Sequence, residues 1–322
     1  MIKIDFKNKP IDFWQAALFA KIKKIPIYII LIQAYEKGLL QDSKKKLLLE
    51  FIQYIKKFEN NFNSQICQDL FALFIIGSNS DKTFLEFGAT DGVEISNTYI
   101  LENNFLWSGV LAEPDIYWTE SLKKNRPKSK IITKCIWNKS NEKIKFFSSI
   151  EPSLSTIEKF KFSDSKSKPM QTERRVKEGK NIEVETISLN QLIEEEFSGI
   201  PPSYISIDTE GSEFEILKSF NFLEYGPAVF TIEHNFTEYQ NKIDDLMEEY
   251  SKKYHDGDET EHAIHDYENF HSSLYSEYMG EDDYETIIQS YRISEEKDIP
   301  PKVLQAIVND YTPDDLEESH IK

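Results

Sequence analysis

The segment Thr83–Gly92, TFLEFGATDG, constrains the fold of this chain more than any other stretch. A short apolar run, ending in the pair Glu86-Phe87, reads as a strand that delivers the backbone straight into a loop carrying Gly88 and Gly92. A second run, Gly109-Val110-Leu111-Ala112, stops at Glu113, and a later one, Tyr204-Ile205-Ser206-Ile207, stops at Asp208. Apolar strands that end in carboxylates, the first opening into a glycine loop, suit a nucleotide-like ligand lying across the ends of a parallel sheet. The pattern predicts strands near 83–87, 108–113, 130–136, 143–147, 204–208 and 228–233, alternating with helical periodicity. That alternation marks an α/β fold with a mostly parallel, doubly wound, Rossmann-like sheet.

Three regions follow from the pattern. Residues 1–65 read as a helical N-terminal extension: Leu47, Leu48, Phe51, Ile52, Ile55 and Phe58 recur at three- and four-residue spacing, and Gly38 separates that helix from one around 11–36. Residues 66–250 hold the sheet, and within them 150–180, rich in Ser and Lys, reads as a mobile loop or lid over the site. Residues 251–322 form an acidic, Tyr-rich C-terminal region with weak helical patterns at 284–291 and 302–309.

The net charge of −18 is unevenly spread. Residues 1–65 hold 12 Lys against 6 acidic residues, whereas residues 200–322 hold 8 basic against 30 acidic. So acidic a C-terminal third argues against nucleic acid as a partner, since phosphate binding needs clustered Lys and Arg. The basic N-terminal region reads as a peripheral contact with an anionic membrane surface or an acidic glycan, or as a solvated helix face. The run Ile25–Ile32 is too short to span a bilayer or serve as a signal, so the chain reads as cytoplasmic. Two cysteines, Cys67 and Cys135, give neither a disulfide framework nor a thiolate metal site.

The loop Glu86-Phe87-Gly88-Ala89-Thr90-Asp91-Gly92 has the spacing G-x-x-x-G, not the G-x-G-x-x-G of dinucleotide sites, which favours a cofactor without a pyrophosphate; taken alone, the loop reads equally well as a plain turn. The next helix is expected to start near Ser96, its N-terminus facing an anionic group such as a carboxylate. Glu113, at a strand tip that Pro114 terminates, can accept hydrogen bonds from ribose hydroxyls, or can be an exposed strand-end acid. In Asp208-Thr209-Glu210-Gly211-Ser212-Glu213-Phe214-Glu215, the pair Ser212 and Glu215 fits a capping box and Glu213 a helix dipole, which leaves Asp208 and Glu210 as site candidates. His234, beside Glu233 at the next strand end, is a general base or a hydrogen-bonded structural histidine. Asp208, Glu210 and Glu233 could also share a divalent cation, although no metal is predicted. His262 and His265 lie three apart and do not make a zinc-hydrolase motif.

The set FLEFGATDGVEISNT, WSGVLAEP, KCIWN, TISLNQL and YISIDTEGSEFEIL, in this order, resembles the FkbM-type methyltransferases over residues 83 to about 236. The resemblance implies a class I S-adenosylmethionine-dependent enzyme that O-methylates hydroxyls of sugars or polyketides. Carried over by position, it puts Gly88, Ala89 and Gly92 against the cofactor, Asn97 and Thr98 near its methionine carboxylate, and Glu113 at the ribose. Cys135 and Ile136 would lie by the adenine and Asp208 beside the sulfonium; Glu86, Thr90 and Pro114 complete the expected contacts. The chain departs from the family after Tyr250, where a last hairpin is expected and an acidic, Tyr-rich stretch stands instead.

A transferable methyl needs an acceptor oxygen in line with it, about 3 Å away, and a group that accepts the hydroxyl proton. Asp208, Glu210 and His234 are the candidates. The sequence therefore predicts an O-methyltransferase acting on a saccharide or lipid-linked glycan. The alternative is a catalytically silent cofactor- or glycan-binding module whose acidic tail serves in assembly.

Overall fold

The computed structural model describes residues 16, 20, 25–39, 45–58, 61–79, 81–166, 169–233 and 239–255. They fall into two compact units, divided after Cys67. In the first, α1 (Ile27–Glu36) packs on α2 (Lys45–Lys56), burying Ile27, Ile30 and Leu31 with Phe51, Ile52 and Ile55. These last three are the stripe that the three- and four-residue spacing marks out. Both cysteines are buried, and no helix among the described residues is long and apolar enough to cross a membrane.

The second unit opens with α3 (Gln68–Ile76) and β1 (Thr83–Phe87), followed by α4 (Tyr99–Phe105), β2 (Ser108–Ala112), α5 (Thr119–Asn125) and β3 (Lys130–Ile132). Next come β4 (Cys135–Trp137), β5 (Lys143–Ser148), β6 (Thr156–Ile157), α6 (Pro169–Val176), β7 (Lys180–Ser188) and α7 (Leu189–Phe197). The unit ends with β8 (Tyr204–Ile207), α8 (Glu213–Leu217), α9 (Phe222–Tyr225), β9 (Val229–Ile232) and α10 (Gln240–His255).

Five strands form an all-parallel sheet in the order β3-β2-β1-β8-β9. All four residues of β8 and of β9, and all but the first of β1, are buried, as expected where helices cover both faces of a parallel sheet. Such strands read as unbroken apolar runs, which is why these were visible in the sequence.

A second sheet, order β4-β7-β5-β6, was not foreseen. The run at 130–136 is not one strand but two: β3 ends the first sheet, and after Thr133-Lys134 the chain enters the second as β4, parallel to β7. The 143–147 strand belongs here too, antiparallel to both β7 and β6. The longest strand of the unit, β7, went unread because the exposed Glu183 and Glu185 alternate with Ile182, Val184 and Thr186, so no unbroken apolar run shows. Residues 150–180 also carry regular structure. They hold two 3-10 turns (Pro152–Leu154 and Glu158–Phe160), β6 and α6.

Candidate active site

Strand register lines up the candidate residues. Phe87 pairs with Ala112 on one side and Ile207 on the other, and Ile207 pairs with Ile232. The residues that follow, Glu113, Gly88, Asp208 and Glu233, therefore emerge side by side at the carboxyl edge of β2, β1, β8 and β9. The chain order reverses between β1 and β8, and ligands of open α/β sheets bind at such a switch point. Gly88 is required there: its φ is +70°, and a Cβ would lie 1.9 Å from the carbonyl oxygen of Asp208.

Glu86 is engaged by groups of the chain itself. Its buried carboxylate accepts from the Ser96 hydroxyl (3.0 Å), the Asn97 N–H (2.7 Å) and the Thr98 hydroxyl, with Arg126 Nη1 at 3.9 Å. Burial raises its pKa, outweighing Arg126 and these hydrogen bonds. Because Glu86 captures Ser96 and Thr98, α4 starts only at Tyr99, and the anion at its N-terminal approach is the chain's own. Thr98 is fully buried with its hydroxyl engaged by Glu86 and Arg126. Asn97 donates to Ser206 (2.8 Å), and its buried Oδ1 has no hydrogen-bond partner among the described residues.

Glu113 is 5% exposed and accepts the N–H of Thr90 (3.0 Å) on Oε2 and of Asp115 (2.8 Å) on Oε1. Burial pushes its pKa up to about 7; the two N–H donors oppose that, and the charges of Asp115 and Asp208 add to it. Ala89 is buried and Pro114 half-buried beside it. Cys135 and Ile136 are buried at the start of β4, and burial followed by the charge of Glu113 raises the Cys135 thiol.

Asp208, Glu210 and Glu233 offer carboxylate oxygens that all lie within 4.8 Å of one another. Sequence reasoning missed the cation that meets them. Arg175, fully buried on α6, donates to Glu210 Oε2 (2.5 Å), to Asp164 Oδ1 (2.6 Å) and Oδ2 (3.0 Å), and to the Leu154 carbonyl (2.9 Å). Burial works against its charge, and Glu210, Asp164 and Glu233 outweigh it, so its pKa rises. Glu210 itself sits at φ +58°.

The Ser212–Glu215 capping box does not form: Ser212 gives no side-chain cap, and its hydroxyl donates to Thr209 Oγ1 (2.8 Å). Glu213 instead accepts from the Thr209 N–H (2.9 Å), the Thr209 hydroxyl (2.8 Å) and the Gly211 N–H (3.1 Å), tying down the loop after β8. His234 lies outside the described residues, as does the C-terminal stretch from 256 that holds His262 and His265.

Residues 155 and 156 connect both sides of the edge. Ser155 Oγ donates to Asp115 Oδ2 (2.9 Å) in the loop after β2, and Thr156 Oγ1 donates to the carbonyls of Thr209 (3.1 Å) and Glu210 (3.0 Å) after β8. The edge is thus rich in acceptors, and its two buried guanidiniums, Arg126 and Arg175, are both committed to protein carboxylates. That composition suits a ligand bearing hydroxyls and positive charge, and disfavours one bearing a pyrophosphate.

Fold and edge together define a Rossmann-like protein of the class I methyltransferase type. The methyltransferase FkbM domain matches residues 86–256, more than half of the chain. This chain belongs to that family and is a methyltransferase, a class that in general uses S-adenosylmethionine. No curated protein and no solved structure matches it.

Proposed function

We propose that this chain is an O-methyltransferase that binds S-adenosylmethionine across the carboxyl ends of β1, β2 and β8 and methylates a hydroxyl of a saccharide or glycan-like acceptor. The observation that carries the reading is the row Glu113, Gly88, Asp208, Glu233 at the switch point. S-adenosylmethionine supplies an activated methyl on a sulfonium. Glu113 would hold the ribose hydroxyls, and Asn97 Oδ1 would accept from the ammonium of the methionine part. Asp208 places negative charge where the bound cation lies and takes the proton of the acceptor hydroxyl. Asp208 follows β8 beside Gly88 at the switch point, which makes it the base in this reading, while Glu210 is held by Arg175. The same reading takes the protein as cytoplasmic, its basic N-terminal region meeting an anionic membrane surface where a lipid-linked acceptor is carried.

Calorimetric titration with S-adenosylhomocysteine, and transfer of a 13C-methyl from labelled S-adenosylmethionine to a panel of oligosaccharides followed by NMR, test the two halves separately. A folded wild-type chain that does not bind S-adenosylhomocysteine sinks the reading. Asp208→Asn is expected to keep the fold and lower turnover by about 10²-fold or more, the contribution of a lost general base.

Glu113 adds a pH signature. A carboxyl whose folded pKa lies above its unfolded one stabilises the fold while protonated, and that contribution fades as pH rises from the unfolded value through about 7. Hydroxyl donors favour the ionised form. S-adenosylhomocysteine affinity should therefore rise with pH, by up to about tenfold per unit below 7, and level off above it. Glu113→Gln should flatten the profile; a sloped profile in that variant would place the titration elsewhere.

A further inference from the structure

The loop between β1 and α4 turns left-handed four times within eight residues: at Gly88 (φ +70°), Thr90 (+47°), Gly92 (+76°) and Ile95 (+53°). Thr90 and Ile95 are β-branched, and such side chains rarely adopt this backbone. A strained loop keeps its shape only where the surroundings over-determine it. Glu86 and Glu113 hold parts of it, and one further group ties Gly92 to residues 96–98.

That group is Arg126, fully buried at the C-terminal end of α5. Its Nη1 donates to the Gly92 carbonyl (3.0 Å) and the Ser96 hydroxyl (3.2 Å), and its Nη2 to the Thr98 hydroxyl (3.1 Å). Nε is anchored from behind by Glu102 Oε2 (2.8 Å), and the guanidinium carbon lies 5.5 Å from the Phe84 ring centroid and 5.8 Å from that of Tyr99. The neighbouring Asn125 side chain donates to the Asp91 carbonyl (2.9 Å). Gly92 makes room for this arrangement: a Cβ there would meet Arg126 Cγ and Leu122 Cδ1, each at 2.6 Å.

We propose that Arg126 is a positioning residue for the cofactor: it holds residues 92–98 in the ligand-ready shape before the ligand arrives, so that binding does not have to order that part of the loop. The inference rests on the reading of this loop as the cofactor loop. A planar fork is needed, because one guanidinium must reach residue 92 and residues 96–98 at once while keeping a donor for Glu102; an ammonium cannot span them.

The test compares wild type, Arg126→Lys, Arg126→Met and Phe230→Leu, a buried β9 substitution that serves as a destabilised control. Two readouts are taken: the Kd for S-adenosylhomocysteine, and amide hydrogen exchange of residues 92–98 against residues 204–207. Expected are a Kd raised about 10-fold in Arg126→Lys and about 30-fold in Arg126→Met. Exchange should quicken only in 92–98, and saturating ligand should restore its protection. Phe230→Leu should lower the melting temperature and change Kd by less than about threefold.

If exchange quickens equally in both segments, or Kd rises no more than in Phe230→Leu, Arg126 is ordinary packing and the proposal falls. Should Arg126→Met fail to fold, Arg126→Lys decides by the same two readouts. Unchanged Kd in the Arg126 variants overturns this inference and leaves the function standing. A wild type that does not bind overturns both.

Discussion

Gly88→Ala is expected to remove S-adenosylhomocysteine binding and to cost about 3–5 kcal/mol of stability, against about 1 kcal/mol for Gly199→Ala. The two glycines have nearly the same φ, +70° and +75°, so the intrinsic penalty of a left-handed alanine is shared. What differs is the neighbour. At Gly199 the new methyl meets the far end of the Glu194 side chain at 3.2 Å, which can swing away. At Gly88 it meets the Asp208 carbonyl at 1.9 Å, and the Gly88 N–H is fixed to the Ala112 carbonyl at 3.0 Å. Relief requires the ends of β1 and β8 to part, where the ligand is to lie. Urea denaturation and calorimetry of the two variants measure the contrast. Retained binding in Gly88→Ala would mean that the ligand does not use this edge.

Arg175→Met is expected to cost about 3–5 kcal/mol, because it takes the guanidinium away from the buried carboxylates of Asp164 and Glu210. The loss comes from stranding charge. The pair itself contributes less than that figure, since burying both ions opposes much of their attraction. A double-mutant cycle separates the two effects. Glu210→Gln added to Arg175→Met should recover about 1–3 kcal/mol, whereas strict additivity would show that the 2.5 Å contact is energetically idle. The segment 154–176 should loosen in the single variant, since the Arg175 side chain also bonds the Leu154 carbonyl.

The central strands of the first sheet and the glycine loop were legible because their causes are local. A strand buried on both faces must be continuously apolar, and a chain that turns left-handed beside another backbone must use glycine. Glu113 and Asp208 were legible for the same reason, as acids terminating such strands. The two arginines were not. Arg126 follows TESLKKN, which reads as a solvated helix, and Arg175 lies in a Ser- and Lys-rich stretch that reads as a loop. Their burial is set by partners distant in sequence: Glu86 and Glu102 for one, Asp164 and Glu210 for the other. Nothing in the neighbouring residues announces that. The capping box failed on similar grounds. Ser212-x-x-Glu215 has the right spacing, but Glu210 at φ +58° and Gly211 at +118° turn the backbone so that Glu213 reaches the N–H groups first.

The carboxylate that Glu86 supplies to residues 96–98 carries an evolutionary consequence. Glu86, Ser96, Thr98, Glu102 and Arg126 form one closed circuit in which each member is buried on account of the others. Drift at any one of them exposes its partners to selection, so relatives of this chain should keep the five together or exchange them together. A lineage that has lost Glu102 would lack the carboxylate nearest this guanidinium among the described residues, and an aliphatic residue in place of Arg126 there would mark a loop rebuilt on another plan.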